Sequence, residues 1–293
     1  INSNKILFMC IMIISTLITI SSNNWLGMWM GLEMNLMAFI PLISKSKDKK
    51  SSQAIMIYFL TQSIGSITLL FSIMINSLIF LSPIIINELT SMMIMISIMI
   101  KVGAAPFHLW LPEMMTNLGW DECMILMTWQ KIAPLTILSN IIPNNWFLYT
   151  AVMLSAIAGG IGGLNQTSLR KILAYSSINH LGWMMMFMSM NSSWYKYLMI
   201  YSVLVVLICS LMKKNNSLFI NQMISSSPSL MEKLTFTISL LSIGGLPPFL
   251  GFLPKWMVIQ SMINSELYLI MLMMMLCSLL TLFYYLRLMS AYI

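Results

Sequence analysis

The chain has 293 residues, of which 59% are hydrophobic and 8% are charged, whereas a soluble domain has about 25% charged residues. This composition excludes a soluble globular protein. The formal net charge of +7 does not indicate a nucleic-acid partner, because most basic residues lie in short segments between apolar runs, which is typical of membrane proteins.

The apolar runs predict ten membrane-spanning helices. A helix needs about 20 residues to cross the hydrocarbon layer, and runs such as ILFMCIMIISTLITI (6–20) lack the alternation of a membrane β-barrel strand. In chain order, the predicted spans are 5–21, 24–44, 53–75, 89–118, 121–141, 146–164, 172–190, 194–211, 234–262 and 265–287. The segment 77–86 is too short to cross, and 215–230 is polar enough to lie in the interface.

The basic residues predict the orientation of these spans. Ten spans place both termini and the even-numbered loops on one side of the membrane, and eleven of the fifteen Lys and Arg residues fall there. They are Lys5, Lys45, Lys47, Lys49, Lys50, Arg170, Lys171, Lys213, Lys214, Lys233 and Arg287. The opposite side holds Lys196. We therefore expect both termini on the cytoplasmic or matrix side.

Two predicted spans are unusually long, and both are interrupted by glycine and proline. The fourth contains KVGAAPFH (101–108), and the ninth contains GGLPPFLGFLPK (244–255). They are the fourth members of two consecutive groups of five. The chain is thus predicted to be an all-α, antiporter-like inverted repeat of two five-helix units, 1–142 and 143–293, with two discontinuous helices that favour an ion path. The alternative is that glycine and proline only kink packed helices.

Four ionisable residues lie inside the predicted spans, namely Glu33, Lys101, Lys131 and Lys255. Each costs roughly 2.5–3.5 kcal/mol at a helix centre, so we expect them to have a function. A carboxylate that moves toward or away from a buried lysine changes how tightly the lysine holds its proton, which makes the set a candidate proton path. A buried ion pair or a side chain that snorkels to the interface would also account for each residue alone.

Two histidines are candidate proton relays. His180 lies in the middle of span seven, which is the counterpart of the Glu33 span in the second unit, and its alternative is a packing residue. His108 follows the break in span four. It either connects Lys101 to the basic side or caps a helix in contact with water.

The sequence shows no metal, redox or nucleotide motif. Cys10, Cys123, Cys209 and Cys277 are far apart and form no CxxC or Cys/His spacing, so we expect packing or lipid-facing residues rather than an iron–sulfur cluster, a zinc site or a disulfide. The cluster GGIGGLNQ (159–166) follows no strand. It therefore predicts close helix packing rather than a nucleotide site.

Six motifs carry a resemblance to a known family. They are WMGLEMNL (29–36), YFLTQ (58–62), KVGAAPFHLWLPE (101–113), LMTWQKIAPL (126–135), GGLNQTSLRKILAYSSINHLGWM (162–184) and GGLPPFLGFLPKW (244–256). These motifs resemble those of the antiporter-like membrane-arm subunits of mitochondrial NADH:ubiquinone oxidoreductase, respiratory complex I. The methionine count of 33 also suits a mitochondrially encoded chain.

The resemblance implies a proton-translocating subunit of the mitochondrial inner membrane, and in that membrane the loop charges predict both termini on the matrix side. In this family the Glu of the GLE motif and three lysines, before the glycine–proline break, in WQK and in LPKW, form the proton path. The matching residues are Glu33, Lys101, Lys131 and Lys255, and His180 matches the histidine of the span-seven motif.

The resemblance also implies what the chain lacks and what it binds. It implies a subunit of a proton-translocating NADH:ubiquinone reductase with no redox site on this chain, since NADH, FMN, iron–sulfur clusters and ubiquinone are bound by other subunits. The implied partners are other membrane-arm subunits, including neighbouring antiporter-like chains, and lipids such as cardiolipin. A stand-alone cation/proton antiporter and a passive scaffold are the alternatives.

Overall fold

The computed structural model describes residues 3–44, 49–78, 83–141, 145–190, 192–225 and 229–292, and within these ranges it contains helices and no β-strand. The helices are α1 (Ser3–Ser21), α2 (Trp25–Ile43), α3 (Lys49–Leu78), α4 (Pro83–Val102), α5 (Trp110–Asn117), α6 (Trp120–Met127), α7 (Ile132–Ile141), α8 (Asn145–Gly162), α9 (Leu169–Ser189), α10 (Trp194–Lys214), α11 (Ile220–Ser225), α12 (Leu230–Gly244), α13 (Phe252–Asn264) and α14 (Tyr268–Tyr292). A helical segment lies in each of the ten predicted spans, and the predicted all-α membrane fold is confirmed.

Five uninterrupted helical segments of the described chain are long and apolar enough to cross a membrane by themselves. They are Ser3–Ser21, Trp25–Ile43, Lys49–Asn76, Trp194–Lys214 and Tyr268–Ser290. The helix within the predicted interfacial segment, α11, has six residues, which is too short to cross.

Spans four and nine are discontinuous, as predicted. The break in span four lies between α4 and α5, and the break in span nine lies between α12 and α13. Each break begins at a glycine in the left-handed region, Gly103 with φ of 76° and Gly245 with φ of 80°. This conformation costs a residue with a Cβ atom roughly 1–2 kcal/mol, so the two glycines fix where the helices end.

Span five differs from the prediction of one helix over 121–141. Helix α6 ends at Met127, a 3-10 turn occupies Trp129–Lys131, and α7 begins at Ile132. Pro134 lies in the first turn of α7, where proline is tolerated because its missing N–H has no intrahelical partner there. Pro134, three residues after Lys131, thus marks the far side of the interruption.

Residue contacts divide the chain into two compact units. The first comprises Ile1–Gly103, Leu109–Leu118 and Trp129–Phe147, and the second comprises Ala104–His108, Gly119–Thr128 and Leu148–Ile293. The sequence-based division at residue 142 places the segment 119–128 in the first repeat, and that repeat boundary stays a prediction.

Within the second unit, contacts join loops that the ten-span count places on the same side. Lys213 donates to both carboxylate oxygens of Asp121, at 2.9 and 2.8 Å. Arg287 donates to the carbonyl of Gln166 at 2.9 Å. These contacts agree with the span count, since loops on opposite faces could not meet. Lys45 and Lys47, two of the basic residues from which the orientation was predicted, lie outside the described residues.

Candidate functional site

The six residues proposed from the sequence divide between the two units. The first unit contains Glu33, Lys101 and Lys131, and the second contains His108, His180 and Lys255.

Lys101 lies in the last turn of α4 and is 5% exposed. The carbonyls of this turn have no intrahelical partner, and side chains supply donors instead. The Gln62 amide donates to the Lys101 carbonyl at 3.1 Å, and the indole of Trp110 donates to the Ile100 carbonyl at 3.1 Å. A Cβ atom on Gly65 would lie 2.9 Å from Cγ of Lys101. Glycine at this position thus leaves room for the lysine stem.

Glu33 lies on α2, and its side chain is half-buried. Its Oε1 atom is buried and has no hydrogen-bond partner among the described residues. No ion pair within 4 Å joins Glu33 to Lys101 in the described chain. The carboxylate therefore does not neutralise the lysine by direct contact in this structure.

Lys131 ends the 3-10 turn in span five and is 2% exposed. The turn separates α6 from α7, so Lys131 lies at a helix interruption like the lysines of spans four and nine. A mid-helix stretch of 3-10 geometry often marks a functional hinge. The three lysines of the candidate site therefore share two features, burial and a break in the backbone hydrogen bonds beside them.

Lys255 lies in the first turn of α13 and is 4% exposed. Its Nζ atom donates to the carbonyl of Gly244, the last residue of α12, at 2.8 Å. The carbonyl end of a helix carries partial negative charge. The C-terminus of α12 is thus positioned to stabilise an ammonium group on Lys255.

His180 lies on α9 and is 7% exposed. Its Nδ1 atom is 2.8 Å from the Tyr197 hydroxyl, and its ring centroid is 4.9 Å from that of Tyr201. The two tyrosines are functional candidates that the sequence reasoning missed, since nothing in the apolar run of α10 distinguishes them from packing residues. His108 is half-buried, and its Nδ1 atom has no hydrogen-bond partner among the described residues.

Alignment of the two breaks on their left-handed glycines reveals a second missed signal. The strings GAAPFHLWLPE (103–113) and GLPPFLGFLPK (245–255) share glycine, proline, phenylalanine, leucine and proline at matching positions. Lys255 aligns with Glu113, whereas Lys101 precedes its glycine. The two repeats therefore use related breaks but place a lysine on opposite sides of them.

This chemistry is suited to holding and releasing protons. The buried Nζ atom of Lys255 lies beside a helix carbonyl, and a small displacement of a charged or polar neighbour changes the stability of an ammonium group. Within the described ranges, no group of three or more His, Cys, Asp or Glu side chains is arranged to hold a metal ion.

Comparison with known proteins identifies the family. Residues 22–281 match the transmembrane family described as NADH:quinone oxidoreductase/Mrp antiporter. The chain belongs to this family. Its NADH:quinone oxidoreductase/Mrp relatives include NADH-ubiquinone oxidoreductase chain 2 of Locusta migratoria, which is 47% identical, with 98% of this chain and 84% of the relative covered. The chain 2 protein of Oryctolagus cuniculus is 39% identical, with 97% and 84% covered.

Solved structures of the NADH:quinone oxidoreductase/Mrp kind share the fold. A chain of respiratory complex I from Thermus thermophilus superposes with a TM-score of 0.89 at 21% identity, with 99% of this chain and 70% of that chain covered. A chain of the Mrp complex from Dietzia gives a TM-score of 0.82 at 13% identity, with 97% and 59% covered. The likeness confirms the antiporter-like architecture that the two discontinuous helices predicted.

Proposed function

We propose that this chain is a proton-translocating, antiporter-like core subunit in the membrane arm of respiratory complex I in the mitochondrial inner membrane. The observation that carries the proposal is the placement of Lys101, Lys131 and Lys255, each at most 5% exposed and each beside a helix interruption. An ionisable side chain costs roughly 2.5–3.5 kcal/mol at the centre of a membrane helix. Proton transport is a function that requires such side chains inside the membrane.

In this mechanism, Glu33 and the three lysines carry protons, with His180 and His108 as relays. The Gly244 carbonyl favours the ammonium form of Lys255, because it accepts a hydrogen bond from Nζ. Unit charges about 4 Å apart attract by about 4 kcal/mol at an effective dielectric constant near 20. Moving one charge against 100 mV costs about 2.3 kcal/mol. The change in electrostatic energy when a carboxylate moves toward or away from a lysine is therefore large enough to drive one loading and unloading step.

The energy for that displacement comes, in this proposal, from redox chemistry on other subunits. NADH, FMN, the iron–sulfur clusters and ubiquinone are bound there, and this chain has no redox site. Its partners are other membrane-arm subunits, including neighbouring antiporter-like chains. Anionic lipids such as cardiolipin bind its basic side, where the positively charged residues of the even-numbered loops favour them.

The orientation is part of the same proposal. The basic side, with both termini, faces the matrix. Thiol labelling with a membrane-impermeant reagent on sealed mitoplasts tests it, because Lys196→Cys is then accessible and Lys171→Cys is not. Labelling of Lys171→Cys and not of Lys196→Cys would show that the orientation is the opposite of the one proposed.

The test of function uses assembled complex I in inner-membrane vesicles with Lys131→Met. We expect fewer protons translocated per NADH oxidised, because the substitution removes a protonatable group while keeping an unbranched, buried side chain. Lys196→Met is the matched control, since Lys196 is exposed in the first turn of α10. Normal assembly with an unaltered proton-to-electron ratio in Lys131→Met would favour a passive scaffold. Cation/proton exchange by the chain purified alone would favour a stand-alone antiporter.

A further inference from the structure

Gln130, the residue before Lys131, is held by side chains from three other helices. Its Nε2 atom donates to Oδ1 of Asn35 on α2 at 2.9 Å and lies 3.2 Å from the sulfur of Met12 on α1. Its Oε1 atom accepts a hydrogen bond from the Tyr58 hydroxyl on α3 at 3.3 Å. The donor and acceptor of one amide are thus both engaged at the turn that presents Lys131.

The partners of Gln130 are buried. Asn35 and Tyr58 are each 3% exposed, and Met12 is 1% exposed. The Tyr58 ring is fixed by edge contact with Phe39, with centroids 5.1 Å apart. A buried polar group that loses its partner costs more than the bond contributes, so the partners hold the amide in one place.

Two of these partners are linked to α2, the helix that carries Glu33. Asn35 lies two residues after Glu33 on α2, so a shift of this helix moves both residues. The Tyr58 ring contacts Phe39 of α2, the helix that also carries Glu33. The Oε1 atom of Glu33 is buried and has no hydrogen-bond partner among the described residues. A tyrosine has one O–H proton to donate, and in this structure Gln130 receives it.

We propose that Gln130 is a positioning residue that transmits the charge state of Glu33 to the turn that carries Lys131, through Tyr58 and Asn35. When Glu33 is charged, its field competes for the Tyr58 proton and weakens the Tyr58–Gln130 bond. When Glu33 is neutral, the bond is kept, and the turn stays in the conformation described here. This inference rests on the proposed function, because it requires Lys131 to carry protons.

The poor hydrogen-bond geometry of the 3-10 turn explains why a side chain is needed to position Lys131. The turn lies between two helices, and its hydrogen bonds have poorer geometry than those of an α-helix. The position of Lys131 therefore depends on groups outside the turn. Gln130 is the neighbour whose described contacts reach α2 and α3 together.

The experiment measures protons translocated per NADH oxidised, with assembled complex I in vesicles. The variants are Gln130→Met, which keeps the side-chain length without the amide, and Tyr58→Phe, which keeps the ring without the hydroxyl. We expect each to lower the ratio in the direction of Lys131→Met. The double variant should be no worse than the more severe single variant. Thr61→Val is the matched control on α3, because its hydroxyl donates to carbonyls of its own helix.

A Glu33→Gln background separates coupling from simple packing. If Gln130 transmits the state of Glu33, Gln130→Met should change the ratio little further once the carboxylate is absent. Equal effects of Gln130→Met with and without Glu33→Gln would overturn the inference. So would wild-type ratios in both Tyr58→Phe and Gln130→Met, and Tyr58→Phe decides the matter if Gln130→Met fails to assemble. An unchanged ratio in Lys131→Met would instead overturn the proposed function itself.

Discussion

The ammonium group of Lys255 donates to the carbonyl of Gly244 at 2.8 Å, across the break in span nine. The two residues belong to different helices, α12 and α13, and the bond joins the carbonyl end of one to the first turn of the other. Gly245 makes this approach possible, because a Cβ atom there would lie 2.7 Å from Nζ of Lys255. The lysine and the glycine therefore act as one structural unit.

Gly245→Ala should displace Lys255 and lower the proton-to-electron ratio of the assembled complex. The substitution places a methyl group against Nζ and also forces alanine into a left-handed conformation that costs roughly 1–2 kcal/mol. The number of protons translocated per NADH oxidised in vesicles measures the effect.

Gly245→Asn separates the two causes, because asparagine tolerates the left-handed region but also carries a Cβ atom. If displacement of the ammonium is decisive, both variants lower the ratio similarly. If Gly245→Asn pumps normally, backbone strain rather than the lost Lys255–Gly244 contact explains the alanine result.

Gly159→Ala should destabilise the second unit by about 1–3 kcal/mol, the usual cost of overpacking. A Cβ atom on Gly159 would lie 2.6 Å from the backbone nitrogen of Asn179, so α8 and α9 would have to separate. This close approach confirms the packing role predicted for the glycine cluster 159–166. The temperature at which the subunit aggregates in detergent-solubilised complex measures the loss.

Gly244→Ala is the matched control for stability, since its Cβ atom would meet no atom closer than 3.8 Å. We expect a smaller change in aggregation temperature than for Gly159→Ala. Equal changes in the two variants would show that the α8–α9 contact is not the limiting one.

Cross-linking should confirm which loops share a side of the membrane. The Asp121–Lys213 ion pair predicts that Asp121→Cys and Lys213→Cys are joined by a short bifunctional thiol reagent. Asp121→Cys paired with Lys196→Cys should give no product, because the ten-span topology places Lys196 on the opposite side. The reverse pattern, read by mass spectrometry of the subunit, would contradict the span count.

The Lys214–Glu232 pair predicts a pH dependence at the membrane surface. The hydrogen bond from Lys214, at 2.5 Å, together with the lysine charge, holds the pKa of Glu232 below its usual value. A carboxyl whose pKa is lowered by folding stabilises the folded chain above its ordinary pKa, and this contribution is lost as the pH falls through the lowered pKa. The ion pair should therefore persist at neutral pH and break only in acid.

Carbodiimide labelling of Glu232 at a series of pH values measures this, because the reagent reacts with the protonated carboxyl. In Lys214→Met the labelling midpoint should move up toward the ordinary pKa of 4.5. Lys233→Met is the control at the adjacent position. The same midpoint in wild type and Lys214→Met would refute the assigned cause.

The positions of the breaks in spans four and nine could be predicted because single residue types determine them. Glycine adopts the left-handed conformation that ends a helix, and proline prevents the helix from continuing. The break in span five was missed, although Pro134 marks its far side. A proline in the first turn of a helix and a proline inside one look alike in a sequence until the helix start is known.

The hydrogen-bond partners could not be predicted. Gln130 is separated by 95 residues from Asn35 and by 72 from Tyr58, and no local pattern relates residues so far apart. The buried lysines were visible because charge is rare in apolar spans. Tyr58, Tyr197 and Gln130 were not, since tyrosine and glutamine are common enough in membrane helices to pass as packing residues.

The most direct test of the central claim is the number of protons translocated per NADH oxidised by assembled complex I that carries Lys255→Met. We expect a lower ratio than in wild type and in the Lys233→Met control, because we propose that Lys255, which donates to the Gly244 carbonyl, is a buried proton carrier. A wild-type ratio in fully assembled Lys255→Met complex would contradict it.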